Sequence, residues 1–434
     1  MIPTQRLLYL LWAWLAVGVA AALWPTLFTL WTGMGLLVLL LAGLDWLASL
    51  RQPAITVERR VPGTLALGVW SKVHLRLHHA GATQLAVEVF DRFPCHFEVR
   101  GMPQRVTIPG PGWADITYEI RSTERGEFYF EACQLRWTSP LGLWKRDHKA
   151  GEQTRVKVYP NFAAVTHYAL LATDNRLSAM GIHLRQRRGE GLEFHQLREY
   201  RKGDMLRQID WKASSRLKKL ISKEYQDERN QQVVFMIDCG RRMHAKDGEL
   251  SHFDHTLNAV LLLSYVALRQ GDTVGLMAFG NTPCYVAPRK GVHVINSILD
   301  TVYALQAGAR SPDYADAATE LMKRIRKRSL VVLITNLRDE DNEELLPALR
   351  LMKRQHLVLL ASLQERIIND VLAEPVVDFG DALDHCATHI YQEQRRKAHD
   401  AFKAGGILSL DIEPEQLPVA LVNRYLEVKR SGRL

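Results

Sequence analysis

From Leu7 to Leu44 the chain carries no charged residue; Arg6 stands before the run and Asp45 after it. A charge at a bilayer centre costs about 2.5–3.5 kcal/mol on insertion scales, so an uncharged run of this length constrains what the segment can become. One span needs about 20 residues, and this run is too long for one. It divides at Trp24-Pro25-Thr26, where Pro25 removes a backbone donor and disfavours helix at the residue before it. The pattern predicts two transmembrane helices, near Leu7–Leu23 and Leu27–Leu44, forming a hairpin within residues 1–50. Trp12, Trp14, Trp24, Trp31 and Trp46 include interface anchors. The competing possibility is a cleaved signal peptide with its site at Ala20-Ala21-Ala22, but a second apolar span comes directly after it. Arg6 on one flank and Arg51, Arg59 and Arg60 on the other predict that both ends face the positive, cytoplasmic side of an inner membrane. No later segment is long and apolar enough to cross again.

The remainder of the chain is long enough for two or three soluble domains. The formal charge of +9 suits an anionic membrane surface or a nucleic acid, yet is small for 434 residues. Five scattered cysteines, Cys95, Cys133, Cys239, Cys284 and Cys386, with no CxxC, predict reduced thiols in a reducing compartment.

Residues 54–160 predict an antiparallel β-sandwich. Val73-His74-Leu75-Arg76-Leu77 alternates with period two, as a half-buried strand does. Leu85–Phe90, Ile116–Ile120 and Phe128–Phe130 continue the pattern between Gly and Pro turns, with Ser139-Pro140-Leu141-Gly142-Leu143 a turn near the end. Residues 161–231 are a charged connector. From 232 to 375 continuous apolar runs at Val233–Ile237, Thr273–Phe279, Leu330–Thr335 and Leu357–Ala361 alternate with helical patterns. Such runs are strands buried on both faces, and the alternation predicts a doubly wound α/β domain. Residues 376–434 predict a helical and strand extension, with an apolar piece at Ile407–Ile412. The chain as a whole is a multidomain α+β protein.

In a sheet of this kind ligands sit at the carboxyl ends of the strands, where Asp238 closes the first one. Here the chain resembles a von Willebrand factor A-like domain. In that family a first-strand Asp-x-Ser-x-Ser motif, a Thr from a later loop and an Asp after the fourth strand hold a divalent cation, and oxygen ligands of this type suit Mg²⁺. Asp238 matches the motif, but Gly240 and Arg242 replace its two hydroxyl residues. Ser311 or Asp313 stands where the Thr is expected, and Thr335-Asn336 where Thr-Asp is usual. The resemblance implies the fold more than the metal. The alternative is that Asp238 and Asn336 satisfy loop donors, with the Arg242 guanidinium placed against Asp238 as a substitute for the cation.

The connector carries the most specific segment. It runs Leu197-Arg198-Glu199-Tyr200-Arg201-Lys202-Gly203-Asp204, then Arg207-Gln208-Ile209-Asp210-Trp211-Lys212-Ala213-Ser214-Ser215-Arg216, and is preceded by Gly189-Glu190-Gly191. This closely resembles the signature of the bacterial family catalogued as domain of unknown function 58, departing only at Ser214-Ser215. Arg198, Tyr200, Gly203, Asp204, Arg207, Asp210, Trp211, Lys212 and Arg216 mix both charge signs with aromatics. They predict an ordered network around Trp211 that either docks the connector on the α/β domain or presents a partner-binding surface. Nucleic-acid binding is a third option, since nine Lys or Arg stand against three acids from Arg198 to Lys223 and Tyr200 and Trp211 could stack on bases. The acids are interleaved, however, and no reading motif is present.

The sequence contains no Gly-x-Ser-x-Gly, HExxH or Walker A loop, and its histidines lack metal-ligand spacing, so no enzymatic activity, cofactor or small-molecule substrate is expected. The family resemblance implies a partner, a MoxR-type AAA+ ATPase, and work on other proteins with it. The expectation is a membrane-anchored adaptor that binds this ATPase or its clients through the α/β domain. The alternatives are a Mg²⁺-dependent adhesion-type domain and a membrane-associated nucleic-acid binder.

Overall fold

A computed structural model describes residues 1–50, 55–160, 193–201, 206–226, 231–338 and 341–433. Gly203, Asp204 and the Gly189–Gly191 segment lie outside these residues. The chain forms two compact units, Met1–Tyr159 and Pro160–Leu434.

In the first unit the uncharged run becomes helices α1 (Gln5–Leu23) and α2 (Phe28–Ser49), joined by a short turn at Pro25–Leu27. Both are long and apolar enough to cross a membrane. At 1.5 Å per residue α1 reaches about 28 Å, close to the thickness of a hydrocarbon core. The helices meet through tryptophan. Trp14 and Trp31 stack with ring centroids 5.5 Å apart, and Trp14 Nε1 donates to the Trp31 carbonyl at 3.1 Å. Two glycines make room for these rings: a Cβ on Gly18 would stand 2.6 Å from Trp31 Nε1, and one on Gly35 would stand 2.7 Å from Trp14 Nε1.

The β region folds into β1 (Ile55–Arg60), β2 (Thr64–Ala66), β3 (Ser71–His79), β4 (Leu85–Phe90), β5 (Phe97–Arg100), β6 (Gln104–Ile108), β7 (Gly112–Ser122), β8 (Gly126–Phe130), β9 (Cys133–Thr138), β10 (Trp144–Ala150) and β11 (Thr154–Tyr159). They form sheets ordered β1-β3-β7-β5, β10-β9-β4-β6 and β2-β11-β8, antiparallel except that β2 and β11 run parallel. Alternation does what period two requires: Val73, Leu75 and Leu77 of β3 are buried, as are Ile116, Tyr118 and Ile120 of β7. Within this interior Asp91 accepts from Arg59 at 3.0 and 2.5 Å, from the Tyr118 hydroxyl at 2.5 Å and from the Cys133 thiol at 3.2 Å. Arg59 also donates to the Phe130 and Glu152 carbonyls and to Thr154. Burial and the neighbouring Asp91 push the Cys133 thiol up to about 12, so it stays protonated.

The turn at Ser139–Leu143 grips the hairpin. Asp45 in α2 is buried and accepts from Ser139 Oγ, from the Leu141 amide at 3.0 Å and from the Leu143 amide at 3.1 Å. Trp144 Nε1 donates to the Ala42 carbonyl at 3.0 Å, and Thr4, which caps α1, donates to the Gly142 carbonyl at 2.7 Å. The charge that ends the apolar run is therefore a socket for the β region.

The second unit begins with a hairpin of β12 (Glu193–Glu199) and β13 (Ile221–Gln226), with α3 (Trp211–Leu217) between its strands. Its main sheet and helices comprise β14 (Gln232–Asp238), α4 (His252–Arg269), β15 (Thr273–Phe279), β16 (Cys284–Arg289), α5 (Val294–Val302), α6 (Tyr314–Arg324), β17 (Leu330–Thr335), α7 (Asn342–Lys353), β18 (Leu357–Leu363), α8 (Arg366–Ala373), α9 (Phe379–Ala404), β19 (Leu408–Ile412) and α10 (Leu417–Arg430). The six strands are ordered β16-β15-β14-β17-β18-β19, parallel except for the edge strand β16. Helices cover both faces. Val233, Phe235 and Ile237 of β14 pack toward α4, α5 and α10, whereas Val234 and Met236 pack toward α6, α7 and α9.

The residues after 375, expected as an extension, supply the sixth strand and two helices of this same unit. β19 pairs in parallel with β18. α10 is fastened by a buried polar triad in which Asp272 accepts from Lys429 Nζ at 2.7 Å and from the Tyr425 hydroxyl. Arg395 of α9, only 4% exposed, donates to Asp411 of β19 at 2.6 and 2.8 Å and to the Leu337 and Leu363 carbonyls.

Candidate functional site

The carboxyl ends of β14 and β17 bring together residues from four loops. Asp238, 2% exposed, ends β14. Its Oδ2 accepts from Thr335 Oγ1 at 2.7 Å and its Oδ1 accepts from the Gly240 amide at 2.6 Å. The Tyr314 hydroxyl lies 2.9 Å from Thr335 Oγ1 and extends the chain of hydrogen bonds. Burial pushes the Asp238 carboxyl up to about 6, against the lowering effect of the Thr335 and Gly240 donors. Burial likewise raises the Tyr314 hydroxyl.

Asp238, Gly240, Arg242 and Asn336 converge on this corner as the motif spacing predicts, but their bonding differs from expectation. Arg242 pairs with Asp341, not with Asp238. That pair ties the loop after β14 to the start of α7. Asp313 is spent as the N-cap of α6, accepting from the Asp316 amide at 2.8 Å, and Ser311 is exposed on the surface. The loop's contribution is the next residue, Tyr314, which the Thr-based motif gave no reason to select. Asn336 Nδ2 lies 3.2 Å from Glu365 Oε1 and 3.3 Å from His252 Nδ1, and His252 Nε2 lies 2.9 Å from Asp247.

These residues do not fit a divalent cation. Both Asp238 oxygens already accept hydrogen bonds, and a guanidinium stands nearby. Gly240 could not regain a ligand-bearing side chain in place, since a Cβ there would stand 2.8 Å from Pro312 Cδ and 2.9 Å from Asp238 Oδ1. Among the described residues no group of three or more His, Cys, Asp or Glu could hold a metal ion.

The connector signature divides into a buried half and an exposed half. Asp210 caps α3, accepting from the Ala213 amide at 3.0 Å, with Lys223 Nζ 3.4 Å away. The Ala213 amide and then Lys223 hold its carboxyl below the usual range, against the raising effect of burial. Ser214 is buried and its Oγ accepts from the Ile221 amide at 2.9 Å, and the Ile209 and Ile221 side chains are buried as well. Arg198 donates to the Glu199 carbonyl. Trp211, expected at the centre of the network, is instead 68% exposed. Arg207, Lys212 and Arg216 are exposed with it, as is Leu206 at 74%, and Tyr200 is partly buried. Asp210 and Ser214 therefore brace the hairpin, and Trp211 faces outward with Arg207, Lys212 and Arg216.

Among solved structures, an aerotolerance-related membrane protein from Bacteroides fragilis aligns with a TM-score of 0.30 and 13% identity, over 46% of this chain and 99% of that one. An alpha-2-macroglobulin fragment from Escherichia coli aligns with a TM-score of 0.22 and 14% identity, over 25% of this chain and 17% of that one. Uncharacterized protein YeaD of Bacillus subtilis is 22% identical over 228 residues, 52% of this chain and 54% of that protein, so the chain spans about half the length of this curated relative. Residues 196–404, from the first strand of the connector hairpin to the end of α9, match the family model described as Protein of unknown function DUF58.

Proposed function

We propose that this chain is a non-enzymatic adaptor anchored by the α1–α2 hairpin in the cytoplasmic membrane, with both units on the cytoplasmic side. Its β-sandwich serves as a spacer gripped to the hairpin through Asp45. Its α/β unit is a von Willebrand factor A-like domain that engages a MoxR-type AAA+ ATPase or that ATPase's client proteins. The strand order β16-β15-β14-β17-β18-β19, with helices on both faces, supports this domain reading. The observation that carries the adaptor reading is the exposure of large apolar side chains on the α/β unit, Trp211 and Leu206 foremost. Exposed apolar groups in such numbers favour a surface that another protein covers. The corner around Asp238 supports metal-independent binding, because Thr335, Gly240 and the Arg242–Asp341 pair complete it from within the chain.

The test is capture of the ATPase by the full chain in detergent, with ATP analogue and with ADP. Retention in at least one nucleotide state is expected, unchanged by chelation of divalent ions once nucleotide-bound Mg²⁺ is accounted for. No interaction in either state overturns the proposal.

A further inference from the structure

Two exposed apolar faces of the second unit differ in charge. The first is on the connector hairpin, where Leu206, Trp211, Leu217 and Leu220 are exposed beside Arg207, Lys212, Arg216 and Lys218. The second is on the opening turns of α9 and the segment before it. Phe379, Leu383, Cys386 and Ile390 recur at spacings of four, three and four, which places them on one side of the helix, and all are exposed. Val377, 84% exposed, continues the apolar surface before the helix. The later turns of α9 behave differently: Arg395, Ala398 and Phe402 are buried against the sheet. So α9 spends its second half on the core and leaves an apolar stripe on its first half. Glu374 and Asp384 are exposed beside that stripe, and Asp378 and Asp381 form the capping box of the helix. No Lys or Arg occurs between Ile367 and Gln394.

We infer that these two faces bind each other between copies of the chain: the acid-flanked stripe of α9 on one copy covers the base-flanked Trp211 face of the connector on a second copy. The connector face mixes apolar and basic side chains, with Lys212 and Arg216 between Trp211 and Leu217 on α3, and the α9 stripe is apolar with acids beside it; the two faces carry opposite charge. Among the described residues both are exposed, so neither covers the other within one chain. The contact is heterologous, with different surfaces meeting, and its propagation gives a ring if the rotation closes. This inference rests on the reading of the exposed connector as a protein-binding surface, and makes a second copy, in place of the ATPase, the occupant of its Trp211 face. A membrane-anchored chain is confined to a plane, which raises the effective concentration of copies for such a contact.

The experiment uses the full chain in detergent, with protein mass determined by light scattering. Wild type is expected at the mass of two or more chains. Lys212→Glu with Arg216→Glu, and separately Glu374→Lys with Asp384→Lys, are each expected to give single chains. All four side chains are exposed, so the fold should tolerate these changes. Mixing the two charge-reversed variants restores association, because the untouched basic face of one meets the untouched acidic face of the other. Oxidation of Trp211→Cys adds a second readout: a disulfide to the native Cys386 of another copy, absent when Cys386→Ser is combined with it. A single-chain mass for wild type overturns the inference. So does association that persists in both reversed variants, or failure of the mixture to reassociate. The same holds if Lys212→Glu with Arg216→Glu leaves the mass unchanged and only weakens binding to anionic phospholipid vesicles, which would assign the basic face to the bilayer. ATPase capture by a chain that stays single sinks this inference alone and leaves the adaptor proposal standing.

Discussion

A carboxylate with 2% of its surface exposed must find donors, and Asp238 finds a hydroxyl and an amide, while the nearby Arg242 guanidinium bonds to Asp341. Its folded value, about 6, lies above the ordinary 3.8. The folded state therefore holds the proton more tightly than the unfolded chain. The stability this contributes is complete below about pH 4, is lost as pH climbs through 6, and changes no further above that. Two pK units correspond to about 3 kcal/mol. Asp238→Asn removes the titration while keeping an acceptor for Gly240. Thermal unfolding of the full chain in detergent should show the Asn variant gaining on wild type by about 3 kcal/mol between pH 4 and pH 7. A difference that stays constant across this range sinks the argument. The Arg59–Asp91 pair of the β region makes the opposite case. Asp91 is fully buried and takes two bonds from Arg59, so Asp91→Ala strands a buried guanidinium, and the loss expected in urea unfolding is about 3–5 kcal/mol. Neither pairing was legible from local sequence. Asp238 could be placed because a strand end announces itself. That Arg242 would choose Asp341, and that Tyr314 would reach Thr335, depends on loops brought together only by the fold.

At the scale of elements, the hairpin shows how little a hydropathy pattern says about contact. The uncharged run and Pro25 mark two helices, and the structure places them at Gln5–Leu23 and Phe28–Ser49. Which residues meet is decided by the Trp14–Trp31 stack and by the glycines beneath the rings. Gly18→Leu and Gly35→Leu each drive a side chain into an indole, and overpacking of this kind costs about 1–3 kcal/mol. Gly33 has nothing within 4 Å of where its Cβ would stand, so Gly33→Leu is the matched control. Thermal melts in detergent should fall for the first two and hold for the third; equal behaviour of all three would show that the glycines are not packing sites. In the α/β unit, Thr273–Phe279 and Leu330–Thr335 coincide with the expected strands, because apolar runs this short, rich in β-branched residues, suit strands buried on both faces of a sheet. The connector is harder to read. Its strands are charged and join no larger sheet, pairing with each other and, at Ser222, with Ile209, so no run of apolar residues announces them. β19 is visible as an apolar piece, yet its role as the sixth strand depends on pairing with β18, on the far side of α8 and α9, which no local pattern encodes.

For the whole molecule, the proposal that both units face the cytoplasm makes a prediction about sidedness. The two-residue strand Ile2–Pro3 pairs with β10, and Asp45 is held by the turn before that strand. Ile2–Pro3 and the β region therefore lie at the same end of the hairpin. The positive-inside argument then rests on Arg6 and the arginines after α2. In the folded chain Arg59 is buried against Asp91, which leaves Arg6, Arg51 and Arg60 to carry that argument. Cysteine accessibility reports the outcome. Cys95 in the β region and Cys386 in α9 are exposed, whereas Cys133 and Cys239 are buried and serve as internal controls. A membrane-impermeant maleimide should leave Cys95 and Cys386 unmodified in right-side-out vesicles and modify Cys95 in inverted ones. Cys386 should react fully once the membrane is dissolved and the α9 face is opened by charge reversal. Modification of Cys95 from the outside would reverse the orientation and place both units, with their reduced thiols, beyond the reach of a cytoplasmic ATPase.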